Sequence, residues 1–205
     1  MEQNKEMTAQ ESLALIARTM DSNRKDIIRK GGKYFILWGC LLTIFSLLIY
    51  FLWKTTDSGA WNNLWFVMPI VGYGLSWLLQ RNEETEPVQN DVSRTIGNIW
   101  SAFGIFACSV AVVVLLYSKF GSSAIGAIVA GASLSAQIVL LFGLAETISG
   151  VVLKNLTIKI AGFITGIGGL ATYYFVGANE EQMLLFTFAG IVLAATGLIV
   201  KRQYK

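Results

Sequence analysis

One acidic residue stands alone in a long apolar run. Residues 120–153 carry no charge except Glu146, which lies eight positions before Lys154 and so about 12 Å from it along a helix. An acidic side chain held at the middle of a bilayer costs about 2.5–3.5 kcal/mol on insertion scales, so a carboxyl kept there is a candidate for binding a proton or a cation. Gln137 and Ser149 are polar neighbours that could join it, although nine and three residues away they do not all share one face. The plainer alternative is that Glu146 reaches the interface or pairs with Lys154 or Lys159.

Other chemistry is scarce. The chain has no histidine, which removes the commonest general base and metal ligand, and no catalytic residue, cofactor or metal is expected. Cys40 and Cys108 fall inside apolar runs at depths differing by about 9 Å. They are expected to be buried free thiols rather than a disulfide or a zinc pair. No phosphate-binding loop, dinucleotide fingerprint or nucleophile elbow is present. The glycines from Gly162 to Gly169 lie wholly inside an apolar run, where small residues four apart let helix backbones approach. Gly162 with Gly166, and Ser123, Ala127, Gly131 and Ser135, fit that packing pattern.

The elements that must hold these residues follow from composition. Hydrophobic residues make up 54% of the 205 and charged residues 14%, against roughly 25% charged in soluble domains. The apolar residues are gathered into runs of about 20, the length that crosses a hydrocarbon core of about 30 Å. The runs are 34–53, 61–79, 96–117, 120–153, 160–176 and 183–200. In lipid each must satisfy its own backbone, which predicts helices; a β-barrel would show alternation that is missing here. Trp53, Trp61, Trp65, Trp77 and Tyr117 sit near run ends, as in an interfacial belt. The first run follows a mixed-charge arm and lacks the flanks of a cleaved signal peptide. The expectation is an all-α polytopic membrane protein: a cytoplasmic arm at 1–33, six transmembrane helices over 34–200, and a basic tail at 201–205.

Orientation comes from the basic residues. Of the sixteen Lys and Arg, all but Lys54 and Lys119 fall before the first run, in alternate loops or in the tail. The positive-inside rule then places both termini in the cytoplasm of a cell with an inner membrane. The fourth run is too long for one crossing. Residues 149–155 (SGVVLKN) resemble 196–202 (TGLIVKR) and, more weakly, 76–81 (SWLLQR). That similarity sets the fourth span at 132–153 and yields three tandem hairpins whose even-numbered helices end alike.

Ahead of the first span, Thr8 and Glu11 have the spacing of a capping box. At 100° per residue Leu13, Ile16, Ala17, Met20 and Ile27 share one face, and Arg18, Lys25 and Arg29 the other. Gly31-Gly32 is expected to break this helix before the span. Such an amphipathic helix can lie on anionic lipid, dock on its own bundle or meet a partner. The loop 81–94, with Glu83, Glu84, Glu86 and Asp91 around Pro87, is expected to be a solvated connection.

Glu11-Ser12-Leu13 with Ile16, Leu37-Trp38-Gly39, Leu64-Trp65 with Pro69 and Gly72, and Gly143 through Ser149-Gly150 to Leu153-Lys154 resemble a family of small multi-helix bacterial inner-membrane proteins of unknown function. The resemblance spans nearly the whole chain and implies a multi-helix topology, without catalytic residues. Some members accompany transcriptional regulators, which would suit a membrane partner that presents the arm. Glu146 departs from the hydroxyl residue the resemblance leads one to expect.

Three classes of function remain. The leading one is a non-enzymatic interaction or regulatory membrane protein, with Leu13, Ile16, Met20, Ile27, Arg18, Lys25 and Arg29 as the contact surface. The alternative is a small transporter or channel with Glu146, and Gln137 beside it, as the ion-binding group. A membrane enzyme has the least support. The partners implied are the lipid bilayer, a cytoplasmic or membrane protein and a second copy of the chain, with no direct nucleic-acid contact.

Overall fold

The computed structural model describes residues 8–81, 91–120, 133–173, 175–177 and 179–204, and among them there is no β-strand. These residues form six helices: α1 Ala9–Thr56, α2 Leu64–Arg81, α3 Asp91–Phe120, α4 Leu134–Val152, α5 Leu156–Thr172 and α6 Met183–Gln203. Short 3-10 turns, Gly59–Asn63 and Asn179–Gln182, lead into α2 and α6. By length and composition, α1, α4 and the stretch Asn179–Gln203 can each cross a bilayer. Glu83, Glu84, Glu86, Pro87, Ser123, Ala127 and Gly131 lie outside the described residues.

The start of α1 is fixed by the capping box. The Thr8 hydroxyl accepts from the Glu11 amide at 3.3 Å, and the Glu11 carboxylate accepts from the Thr8 amide at 2.9 Å, satisfying donors that have no partner within the helix. The helix then runs unbroken for 48 residues, about 72 Å at 1.5 Å per residue. Gly31-Gly32 therefore does not interrupt it, contrary to the sequence expectation. Glycine weakens a helix by about 1 kcal/mol relative to alanine but does not forbid it. At Gly32 the missing side chain has a use, because an added Cβ would stand 3.2 Å from the Gly197 carbonyl oxygen on α6.

That contact belongs to a longer antiparallel seam between α1 and α6. A Cβ on Gly39 would lie 2.5 Å from the Ala194 amide nitrogen and 2.7 Å from the Gly190 oxygen, and one on Gly190 would lie 2.8 Å from the Gly39 oxygen. Gly32 and Gly39 are seven residues apart on α1, as are Gly190 and Gly197 on α6. Two turns of helix thus return a bare backbone to the same face. Further along, the Ser46 and Thr187 hydroxyls meet across the seam at 2.9 Å.

A second close pair is the α4–α5 hairpin. Its turn is short: Lys154 takes a left-handed φ of 52°, the Asn155 amide donates to the Gly150 oxygen at 2.9 Å, and the Asn155 side chain caps α5 by accepting from the Ile158 amide at 3.0 Å. The two helices then lie backbone to backbone, with Gly150 against Lys159, Gly162 against Thr147 and Gly143 against Gly162 and Gly166. The start of α4, with Ser133 as N-cap, agrees with the shorter register chosen for the fourth run. Within α5, residues Ile164–Gly168 form a π-turn.

Side chains fill the remaining space in two apolar clusters. One gathers Leu42, Ile49, Ala136, Val139, Met183, Leu185, Phe186 and Ala189; the other gathers Ile28, Leu153, Ile158 and Val200. α3 meets α4 through aromatic edges, Trp100 and Phe103 standing 5.4 and 5.5 Å from Phe142 between ring centroids. On α2, Gly72 admits the Trp38 ring of α1. Both cysteines are free as expected but exposed rather than buried. A thiol is a small, weakly polar group that is tolerated on an apolar outer face as well as inside.

Candidate functional site

The two clusters are joined along one face of α4, where Val139, Glu146 and Leu153 recur every seven residues. Val139 belongs to the first cluster and Leu153 to the second, so the carboxyl of Glu146 sits in the layer between them. It is 0% exposed. Thr165, also fully buried, donates its hydroxyl to Glu146 Oε2 at 3.1 Å. Among the described residues Oε1 has no hydrogen-bond partner, and no Lys or Arg forms an ion pair with the carboxyl. The lysine-pairing alternative for Glu146 therefore has no counterpart among the described residues.

Thr165 comes within reach because of two local features. The tight turn at Lys154 folds α5 back along α4, and the glycines of the seam bring the two backbones close enough for a short side chain to bridge them. Thr165 also lies inside the π-turn Ile164–Gly168, a helix distortion that is frequent at functional sites. An unpaired charge in such surroundings costs several kcal/mol, so the site suits a carboxyl that gains or loses a proton better than a fixed ion pair. One carboxyl and one hydroxyl offer three oxygens, fewer than the six or more that hard divalent cations take.

Gln137 does not join this site. Nine residues at 100° each put it half a turn away from Glu146, and it is exposed. Ser149 is buried nearby, but its hydroxyl is used locally, donating to the Ala145 carbonyl at 2.8 Å. Of the packing residues, Gly162 and Gly166 lie in the α4–α5 seam and Ser135 is buried near the start of α4.

Nothing among protein-family models, curated proteins or solved structures matches this chain.

A second candidate surface lies at the other extreme of exposure. On the first turns of α1, Leu13 is 66% exposed, Ile16 56% and Met20 46%, forming one stripe at i, i+3 and i+7. Leu15, off that stripe, is exposed as well. Arg18, Lys25 and Arg29 are exposed, with Arg29 3.3 Å from Asp26. Ile27 departs from this group: it is half-buried and packs on the cluster of Ile28, Leu153, Ile158 and Val200. The contact surface foreseen from the sequence thus divides, its C-terminal end covered by the bundle and its first three turns left open.

Thr165 and the seam glycines Gly32, Gly39, Gly190, Gly197, Gly143 and Gly150 were not singled out as site or packing residues from the sequence. The signal of these glycines was their seven-residue spacing, which a search for glycines four apart passes over; Thr165 carried none.

Proposed function

We propose that this chain is a six-crossing membrane protein with both termini in the cytoplasm, and that it works by presenting the N-terminal part of α1 to a protein partner there. The observation that carries this reading is the continuity of α1. An unbroken helix of about 72 Å is far longer than a hydrocarbon core of about 30 Å. Its apolar stripe at Leu13, Ile16 and Met20 is uncovered; the Arg24 side chain is largely buried, and apolar packing on the bundle begins at Ile27 and Ile28. Because no hinge intervenes at Gly31-Gly32, the first turns follow the axis of the span away from the bilayer. That favours a partner in the cytoplasm over a helix lying flat in the headgroup layer. An amphipathic face with i, i+3, i+7 anchors is the form a helix takes when it fills an apolar groove.

The basic residues support the orientation, since fourteen of the sixteen Lys and Arg fall on the side assigned to the cytoplasm. A photo-reactive residue placed at Ile16 or Met20 of the full chain tests the interaction in cells. The expected result is a discrete adduct to another protein, lost when Leu13 is changed to Ser in the same chain. Adducts to lipid alone, or none that depend on Leu13, would contradict the reading.

A further inference from the structure

We propose that Glu146 and Thr165 form a proton-binding site in the middle of the bundle, in which Glu146 takes up and releases the proton and Thr165 positions the carboxyl. This is independent of the partner-docking reading and rests on a different part of the fold. The carboxyl is fully buried, one oxygen receives the Thr165 hydroxyl at 3.1 Å, and the other has no partner among the described residues. That second oxygen, Oε1, is where the proton adds, forming an O–H bond, and from which it returns to water. No electron transfer or further reactant is involved.

The ligand is a proton rather than a hard divalent cation because the side-chain oxygens present are too few for such a cation's shell. The charged groups on the elements packed against α4 do not substitute for it. Asp91 and Arg94 stand at the start of α3, Lys159 near the start of α5, and Lys201 and Arg202 at the end of α6; Cys108 on α3 is exposed. Tyr173 follows α5, and Lys154 lies in the turn. None pairs with Glu146. Apolar clusters lie on both sides of the site along α4, so exchange with water requires the packing around it to open. The π-turn that carries Thr165 is the segment placed to do so, since a π-turn holds an extra residue that an α-helix does not need.

Infrared spectroscopy of the full chain in lipid nanodiscs tests this directly, with spectra taken in H2O and D2O between about pH 4 and pH 9. The expected result is a protonated-carboxyl band that shifts in D2O, disappears reversibly as pH rises, and is missing in E146Q. T165V should displace the band and T165S should restore it, which a merely space-filling Thr165 would not do. Should E146Q fail to assemble, E146D gives the same assignment through a shifted band. A carboxyl that shows no protonated band at any pH would overturn the proposal, and so would a band indifferent to both pH and D2O. Loss of the band on adding sodium or potassium chloride at constant pH would also overturn it, in favour of a monovalent cation.

Discussion

At the scale of single residues, a buried carboxyl that meets one hydroxyl contrasts with an exposed carboxyl that accepts from a backbone amide and a hydroxyl of the same residue. Glu11 is the latter: the Thr8 amide and hydroxyl hold its carboxyl below the ordinary carboxylate range. A group whose pKa is lower in the folded helix stabilises it above the unfolded pKa, and this contribution fades as pH falls through the folded value. Amide exchange at the first turn of α1 is therefore expected to accelerate in acid. In Thr8→Ala the same amides should exchange faster at all pH values and lose most of the acid dependence, by an amount near that of other N-cap losses, about 1 kcal/mol for the cap. Hydrogen-exchange mass spectrometry of residues 9–13 measures it. The capping box was legible because its signal is local, four residues in a row. Glu146 was legible for a similar reason, as a charge where none belongs. Thr165 was not, because its role depends on a partner nineteen residues away and on the hairpin register, which no single residue announces.

At the scale of helices, the glycines divide by what faces them. Gly39 and Gly190 touch across the α1–α6 seam, whereas Gly97 and Gly104 on α3 have nothing among the described residues within 4 Å of an added Cβ, although they too are seven residues apart. Gly39→Val is expected to destabilise the bundle by about 1–3 kcal/mol through overpacking. Gly104→Ala should be neutral or stabilising by up to about 1 kcal/mol, because alanine is the better helix former. Thermal unfolding in detergent, followed by circular dichroism, distinguishes the two. The six helices among the described residues, and the start of α4, could be read from run lengths and from the likeness of 149–155 to 196–202. The structure extends that likeness: Gly143 and Gly150 on α4 correspond in spacing to Gly190 and Gly197 on α6, and each pair lies in a backbone seam. The continuity of α1 could not be read, because Gly31-Gly32 carries the same local signal whether it ends a helix or lets another helix come close. The π-turn was likewise invisible, since Gly162–Gly169 looks like any glycine-rich packing face.

At the scale of the whole molecule, apolar side chains lie on the outside as well as in the core. Large apolar side chains such as Phe66, Ile70, Ile105 and Phe106 face outward, while Ser46, Glu146, Ser149, Thr165 and Thr196 lie inside. Single exposed apolar residues are ordinary, but whole outer faces of this kind mark a surface that a bilayer or a partner covers, and three of the helices are long and apolar enough to cross a membrane. Composition pointed the same way before any helix was placed. What composition does not give is which ends share a side of the membrane, and the account depends on both lying in the cytoplasm. The direct measurement is labelling of single cysteines by a membrane-impermeant maleimide in intact cells, in a background with Cys40 and Cys108 replaced by alanine. Ser58→Cys and Asn179→Cys are expected to react from outside, and Lys154→Cys and Gln203→Cys only after the membrane is opened. Reaction of Gln203→Cys in intact cells, or protection of Ser58→Cys, would contradict six crossings with cytoplasmic ends.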